Sequence, residues 1–199
     1  MIRYIKEYGF GGAVKHICDK CLWLFDRHKF KHAGKHIYLA YPNVITGHSF
    51  ISIDDSTVIR CRLQMEAIST HNGQSFTPSI SIGKRVSINN DVHIAAIDSI
   101  KIGDDVLIAS KVYISDHSHG NTTVEDIEIP PSKRSLYSKG SVVIEDCVWI
   151  GEGVAIMPGV VVGKNSIIGA NSVVTRDIPA NCVAAGCPAK IIKRLEKSV

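Results

Sequence analysis

"IEDCVWIGEGVAIMPGVVVGKNSIIGANSVVTRDIP", which spans residues 144–179, divides into six consecutive units of six residues. Each unit begins with an aliphatic residue: Ile144, Ile150, Ile156, Val162, Ile168 and Val174. Four residues later comes a small or apolar residue: Val148, Val154, Val160, Ser166, Ser172 and Ile178. Apolar residues recur every 3.6 residues on a helix face and every two on a strand face, so neither element alone explains a strict step of six.

The same step of six occurs earlier in the chain, and it links these residues: Ile53 and Ile59, then Ile82, Ile88 and Ile94, then Ile102, Ile108 and Ile114. A short strand followed by a tight turn produces this step, because one aliphatic side chain per strand then points inward. Three such units make a coil of about 18 residues, and stacked coils form a parallel β-helix. The sequence therefore predicts an all-β solenoid, with two residues bulging outward between Ile94 and Ile102.

Composition limits the class of protein. The chain has 199 residues, of which 45% are hydrophobic and 21% charged, as in a globular domain. No apolar run reaches the roughly 18 residues that a membrane span needs. The N-terminus also lacks the apolar core of a secretory signal. We therefore expect a cytoplasmic protein with free cysteines and no nucleic-acid partner.

A family resemblance extends these predictions. The repeated pattern [Ile/Val]-Gly-x-x-[small]-x resembles that of the left-handed β-helix acyltransferases. The closing stretch "VTRDIPANCVAAGCPAKIIKRL", residues 174–195, is similar to the tail of their sugar O-acetyltransferase branch, which includes the maltose and galactoside acetyltransferases and polysaccharide-modifying relatives. The similarity covers roughly residues 45–195. It implies a left-handed parallel β-helix, acetyl-CoA as co-substrate without a metal, and a homotrimer with active sites between adjacent subunits.

The domain organisation follows from the limits of the resemblance. We expect residues 45–180 to form the catalytic β-helix, with an extended loop at 115–143, and residues 181–199 to form a CoA-binding tail that contains a short C-terminal helix. Residues 1–44 are not covered by the resemblance. They are expected to form a basic, amphipathic, helical segment.

The loop interrupts the step of six and contains two histidines, in "ISDHSHGN" at residues 114–121. Acetyl transfer to a hydroxyl needs a base near the attacking oxygen, and imidazole suits this role because its ordinary pKa is about 6.5. The resemblance places the catalytic histidine five residues after the last aliphatic residue of the coil, which is His119. His117 is the alternative, either as the base or as a group that orients the acceptor or His119. An exposed turn without catalytic function is the remaining interpretation.

The resemblance also implies sites for the two substrates. Asn89 matches an asparagine that binds the acceptor sugar, although a turn asparagine without that role is also expected here. In those relatives an aspartate makes a second contact with the acceptor. Its ungapped equivalent in this chain is Ile97, and the adjacent Asp98 is the candidate for that contact. Trp149 is expected near the pantetheine or acceptor channel. The residues expected on the donor side are Gly151, Ala170, Thr175, Arg176, Lys190 and Lys193, with the two lysines near the CoA phosphates.

Residues 1–40 contain eight Lys/Arg and three Asp/Glu, whereas the rest of the chain is close to neutral. An apolar helix face is predicted from the following residues, spaced at helical intervals: Val14, Ile17, Cys18, Cys21, Leu22 and Phe25. This face is expected either to cap the open end of the coils or to make peripheral contact with a membrane. The second interpretation would place the protein at the inner face of the membrane.

The predicted function is acetyl-CoA-dependent O-acetylation of a sugar hydroxyl in a cell-surface polysaccharide precursor, such as an O-antigen or capsule unit. The acceptor could be free, nucleotide-linked or lipid-linked. The nearest alternative is N-acetylation of a nucleotide-linked amino sugar. A zinc-dependent carbonic anhydrase-like protein, with His93, His117 and His119 as ligands, and a non-catalytic binding scaffold are less favoured.

Overall fold

Three parallel sheets contain most of the strands of the computed structural model, which describes residues 2–121 and 123–195, with side chains from residue 9 onward. Sheet A contains β1 (His32–Ala33), β4 (Ile51–Ile53), β9 (Ser79–Ile82), β12 (Ser99–Ile102), β17 (Val142–Ile144) and β20 (Val161–Val162). Sheet B contains β2 (Tyr38–Leu39), β5 (Val58–Ile59), β10 (Ser87–Ile88), β13 (Leu107–Ile108), β18 (Trp149–Ile150), β21 (Ile167–Ile168), β23 (Cys182–Gly186) and β24 (Ala189–Arg194). Sheet C contains β3 (Val44–Thr46), β6 (Gln64–Ala67), β11 (His93–Ala96), β14 (Tyr113–Ser115), β19 (Ala155–Ile156) and β22 (Val173–Val174).

The chain visits the sheets in the order A, B, C and then returns to A, so each round adds one strand to every sheet. We call the connections A–B, B–C and C–A turns after the sheets that they join. The sequence-predicted step of six is the distance from one inward residue to the next along this path. The prediction of short parallel strands that repeat at a step of six is therefore confirmed.

The inward aliphatic residues stack in ladders along each sheet. In sheet B the register aligns these isoleucines: Ile59, Ile88, Ile108, Ile150 and Ile168. All five are fully buried. Each strand is too short to bury its apolar side chain alone, so burial against the coils above and below provides the stabilisation.

Two sequence predictions about the coils need correction. The coils begin with β1 to β3, before the predicted boundary at residue 45. The predicted outward bulge between Ile94 and Ile102 is wrong, because Ala95, Ala96 and Ile97 are buried and β11 simply runs further.

The tail also differs from the prediction. Residues 182–194 form an antiparallel hairpin of β23 and β24, which extends sheet B, instead of the short C-terminal helix. Pairing with β23 satisfies the backbone groups along the edge of β21. A helical tail would leave those groups without a strand partner. Met1, Thr122 and residues 196–199, which belong to the predicted N-terminal segment, loop and tail, lie outside the described residues.

Two antiparallel hairpins and a short helix leave the coils at C–A turns. The first hairpin is β7 (Thr70–His71) with β8 (Gln74–Ser75), and the second is β15 (His117–His119) with β16 (Leu136–Ser138). The helix α2 (Val124–Ile127) lies between β15 and β16. The second hairpin and α2 form the predicted loop at 115–143.

Helix α1 (Ile2–Asp26), which is kinked at Gly9, lies against the first coil. Trp23 and Phe30 join the buried apolar cluster that contains Leu39. The predicted apolar face, by contrast, points outward: Val14 and Ile17 are each 43% exposed, and Phe25 is 78% exposed. None of the described helices is long and apolar enough to cross a membrane.

Two aspartates anchor α1 to this coil. Asp19 is buried and accepts hydrogen bonds from the Tyr38 hydroxyl at 2.7 Å and from the Tyr41 backbone N–H at 3.1 Å. Asp26 accepts hydrogen bonds from the Lys29 ammonium and the Tyr41 hydroxyl, which hold the pKa of its carboxyl below the ordinary value. The polar anchors fix which face of α1 contacts the coil, and a pattern of apolar residues does not reveal them.

Candidate active site

The turns divide the predicted site residues into two groups. The C–A turns contain Asp98, the loop with His117 and His119, and the pair Thr175 and Arg176. The B–C turns contain Asn89, Gly151 and Ala170. Trp149 lies on β18 of sheet B, and Lys190 and Lys193 both lie on β24 in the terminal hairpin of that sheet. Within one chain, the structure therefore brings the histidines together with Asp98 but leaves Asn89 on a different row of turns.

Asp116 fixes the start of the loop. Its buried carboxylate accepts hydrogen bonds from the backbone N–H groups of Ile97 at 2.9 Å and Asp98 at 2.8 Å. One of its oxygens also lies 3.0 Å from Nδ1 of His117. A carboxylate in this position can hold the imidazole in one orientation.

The two loop histidines differ in accessibility. The side chain of His117 is only 9% exposed, beside the fully buried Asp116, and its Nδ1 also lies 3.3 Å from the Ser115 hydroxyl. His119 is exposed, two residues further along β15. Alternate residues of a strand face the same side, so both imidazoles lie on one face of the hairpin. The accessible ring is the one that can reach an acceptor hydroxyl in this conformation.

His71 is a neighbour of His119 that the sequence did not indicate. The two rings meet edge to face, with centroids 5.5 Å apart. His71 lies on β7, whose hairpin turns at Asn72 and Gly73 with φ values of 44° and 80°. An Asn-Gly pair with positive φ at both residues is typical of a two-residue hairpin, so this dipeptide was the available signal.

The first hairpin also braces the loop. The Asn72 side chain donates to the Ser132 carbonyl at 3.0 Å, and the Gln74 side chain accepts from the Leu136 backbone N–H at 2.8 Å. These contacts join segments about 60 residues apart in sequence. The loop is therefore held at both ends, by Asp116 and by the first hairpin.

A cavity of about 290 Å³ lies between the loop and the adjacent C–A turns. The following residues line it: Ser118, Gly120, Asn121, Tyr137, Lys139, Met157, Pro158 and Thr175. Because Ser118 and the neighbouring histidines point to opposite faces of β15, the cavity lies on the side away from the imidazoles. Of the predicted donor residues, only Thr175 lines it.

The predicted acceptor residues are spread over three places. Asp98 accepts a hydrogen bond from the Ser141 hydroxyl at 2.9 Å, and its neighbour Ile97 is buried. Asn89 lines a cavity of about 390 Å³ that Gly12 and Lys15 of α1 also border. Trp149 is 49% exposed on the outer face of sheet B.

The predicted donor residues are exposed, with one exception. Ala170, Thr175, Arg176, Lys190 and Lys193 are all accessible at the surface. Gly151 is buried, and a Cβ there would lie 2.7 Å from the backbone N of Ala170 and from the Ile168 carbonyl oxygen. Glycine is therefore required at this position by the stacking of the next coil, a reason that is independent of pantetheine.

His93, the third histidine of the zinc hypothesis, lies in sheet C. Its Nε2 is 3.1 Å from the Glu66 carboxylate, and its ring lies 5.3 Å from that of Tyr113. Residues 2–121 and 123–195 contain no group of three or more His, Cys, Asp or Glu side chains arranged to hold a metal ion.

Comparisons with known proteins agree with this architecture. The family model described as bacterial transferase hexapeptide (six repeats) matches residues 141–176. A relative from Escherichia coli strain K12, which carries the provisional name lipopolysaccharide biosynthesis O-acetyl transferase WbbJ, is 44% identical over 198 residues, or 98% of this chain and 94% of that protein.

Two solved structures extend the comparison. The hexapeptide-repeat acetyltransferase VCA0836 from Vibrio cholerae, complexed with acetyl coenzyme A, is 26% identical with a TM-score of 0.62, covering 90% of this chain and 79% of that chain. A variant of AntD, an N-acyltransferase from Bacillus cereus complexed with dTDP and coenzyme A, is 19% identical with a TM-score of 0.71, covering 87% and 89%. The second likeness concerns the fold alone.

Successive short strands belong in turn to the three sheets, and the family model matches the six-residue repeat. These features define a hexapeptide-repeat transferase. The identity of 44% over nearly the whole chain makes the assignment specific: the chain belongs to the hexapeptide-repeat acetyltransferase family. It is an enzyme that transfers an acyl group, and the resemblance seen in the sequence is confirmed.

Proposed function

We propose that this enzyme transfers an acetyl group from acetyl-CoA to a sugar hydroxyl of a cell-surface polysaccharide precursor, such as an O-antigen or capsule unit. The relative named for lipopolysaccharide biosynthesis, which matches 98% of the chain, supports this choice of acceptor. The observation that carries the chemistry is the pair of histidines on one face of the loop hairpin, with the first held by buried Asp116.

The complete site is proposed to form between chains. We infer that the three sheets close into a left-handed β-helix and that three chains assemble as a homotrimer. Asn89 and the loop histidines lie on different rows of turns, so a second chain is needed to bring these groups together. Leu107 and Trp149, which are aligned on sheet B and 40% and 49% exposed, provide an apolar surface for such a contact.

His119 is proposed as the general base. It accepts the proton of the acceptor hydroxyl while the oxygen bonds to the carbonyl carbon of the thioester. The carbon–sulfur bond then breaks and the acetyl group stays on the sugar. The CoA thiolate takes the proton from the imidazolium and leaves as the thiol. His117, with Asp116 against its Nδ1, is proposed to position the acceptor or His119.

The donor is proposed to lie along the exposed residues near the end of the coils. Ala170, Thr175 and Arg176 are accessible there, and the hairpin of the tail adds Lys190 and Lys193. Ammonium groups are natural partners for the CoA phosphates. Gly151 contributes by permitting close coil stacking beside this surface.

The test is thiol release from acetyl-CoA in the presence of a panel of sugars, with the wild-type protein and His119→Ala. Because a general base typically contributes a factor of 10² to 10⁴, the variant is expected to lose activity on that scale and to keep CoA binding in calorimetry. His93→Ala is the matched control and should remain active. Full activity of His119→Ala would transfer the role to His117 or refute the mechanism. Stoichiometric zinc in the purified protein, together with loss of activity in His93→Ala, would support the zinc hypothesis.

The same assay separates the alternative function. An amine also needs to lose a proton, so a histidine base would serve N-acetylation of a nucleotide-linked amino sugar. Thiol release with amino sugars and not with sugars that carry only hydroxyl groups would favour that alternative. A position at the inner face of the membrane, with the acceptor free, nucleotide-linked or lipid-linked, fits either reaction.

A further inference from the structure

Helix α1 carries an apolar surface that the rest of the described chain leaves uncovered. Its members are exposed to the following extents: Phe10 74%, Val14 43%, Ile17 43%, Leu22 46%, Leu24 57% and Phe25 78%. We call these six residues the outer stripe. At 3.6 residues per turn they occupy one side of the helix over about four turns.

The opposite side of α1 is fixed to the first coil. Ala13, Asp19 and Trp23 are buried there, and Asp19 binds the Tyr38 hydroxyl and the Tyr41 backbone N–H. Rotation of the helix to bury the outer stripe would expose Trp23 and leave the Asp19 carboxylate without these donors. The anchored face therefore holds the outer stripe away from the coils.

The charge around the outer stripe indicates what it contacts. Residues 1–40 have eight Lys/Arg and three Asp/Glu, while the remaining residues have slightly more acidic than basic groups. When positions are spaced by 100° per residue, Lys20 falls on one flank of the outer stripe. Lys15 falls on the other flank, but its ammonium turns to the anchored side, where it lies 2.7 Å from the Asp19 carboxylate and donates to the Tyr41 carbonyl. An exposed apolar stripe on a segment of net positive charge matches the two layers of an anionic membrane surface, in which acyl chains lie beneath charged headgroups.

We propose that α1 docks the protein on an anionic lipid bilayer, with the helix parallel to the surface and the outer stripe among the headgroups and upper acyl chains. The helix lies on the membrane and does not cross it, in keeping with the lack of a spanning helix among the described residues. The docking rests on α1 alone and is independent of the proposed reaction. Asn89, in a cavity bordered by Gly12 and Lys15, would then lie close to that surface.

The experiment is flotation of the full chain with two kinds of vesicle, one of phosphatidylcholine alone and one containing about 30% phosphatidylglycerol. We expect binding to the anionic vesicles that weakens at high salt, because salt screens the attraction between the basic residues and the anionic headgroups. Phe10→Ser combined with Phe25→Ser should lower the bound fraction at least about tenfold, since each change removes a large apolar side chain from the membrane. Val44→Ser combined with Val124→Ser removes exposed valines elsewhere and should bind like wild type.

Thiol release with a soluble sugar provides the second readout. The double phenylalanine variant should keep wild-type activity, so lost docking is distinguished from misfolding and from failure of the proposed reaction. Absence of wild-type binding to anionic vesicles would overturn the proposal. Equal binding of the double variant to anionic vesicles would also overturn the proposal. A third contrary result would be a lower mass of the double variant by light scattering while the wild type binds no vesicles. That result would show that a second chain covers the outer stripe.

Discussion

The coils and the loop that leaves them at residues 115–143 are held together by different interactions. In the coils, each aliphatic residue is buried by the equivalent residues of the neighbouring coils, and many similar contacts share the stabilisation. In the loop, a few polar groups make the connection: the Asp116 carboxylate at its start and the Gln74 and Asn72 side chains from another hairpin. The coils therefore provide stability, while the loop depends on specific hydrogen bonds to position its histidines.

This difference can be tested by making the same change in both regions. Ile150→Ala in sheet B should lower the free energy of unfolding by about 2–5 kcal/mol, because the fully buried side chain leaves a cavity between coils. The melting temperature should fall by roughly 4–20 °C, measured by calorimetry. Ile127→Ala in the loop, where the side chain is 73% exposed, should change the melting temperature little. Equal losses in both variants would contradict the division of roles.

Asp116→Asn tests the polar hold on the loop. Asparagine offers one acceptor oxygen where the carboxylate accepts from two backbone N–H groups, so we expect a loss of about 1.5–3 kcal/mol of unfolding free energy. The kcat for acetyl transfer should fall with an unchanged KM for acetyl-CoA, because His117 loses its partner.

Asp146→Asn is the control for this change, because Asp146 lies in an A–B turn where its carboxylate also accepts a backbone hydrogen bond, from the Asp104 N–H at 3.0 Å. This variant should keep its kcat. A variant at Asp116 with normal kcat would show that the carboxylate serves stability alone.

The smallest effect is expected at the donor surface. Lys190→Ala combined with Lys193→Ala should raise the KM for acetyl-CoA by about tenfold, or about 1.4 kcal/mol, and leave kcat and stability nearly unchanged. Both lysines are exposed on the terminal hairpin, so little packing is lost. Lys84→Ala with Lys101→Ala removes the same charge far from the tail. If that control raises the KM equally, net charge and not a phosphate site would explain the effect.

The coils were readable from the sequence because each inward position is occupied by a residue of one chemical type at a fixed spacing. Ile144 to Val174 sit where the step of six placed them, on the ladders of the three sheets. The same local rule gave the parallel strands and the place where the loop begins, directly after Ile114.

The errors occurred where long-range contacts override a local pattern. The apolar face of α1 was expected either to cap the coils or to contact a membrane. It does not cap the coils, because the Asp19 carboxylate and Trp23 determine which side of the helix meets them. The tail was expected to be helical, but the free edge of β21 pairs with β23 instead. His71 was missed because its contact with His119 joins residues from different coils.

By itself, the sequence determined the repeat of short parallel strands, because repeated burial of aliphatic side chains needs only regular spacing along the chain. The tertiary structure alone decided which histidine is accessible, what holds the other, and which side of α1 faces solvent. These outcomes depend on single polar contacts between residues that are distant in sequence, such as Gln74 with Leu136, and such contacts leave no periodic pattern in the chain.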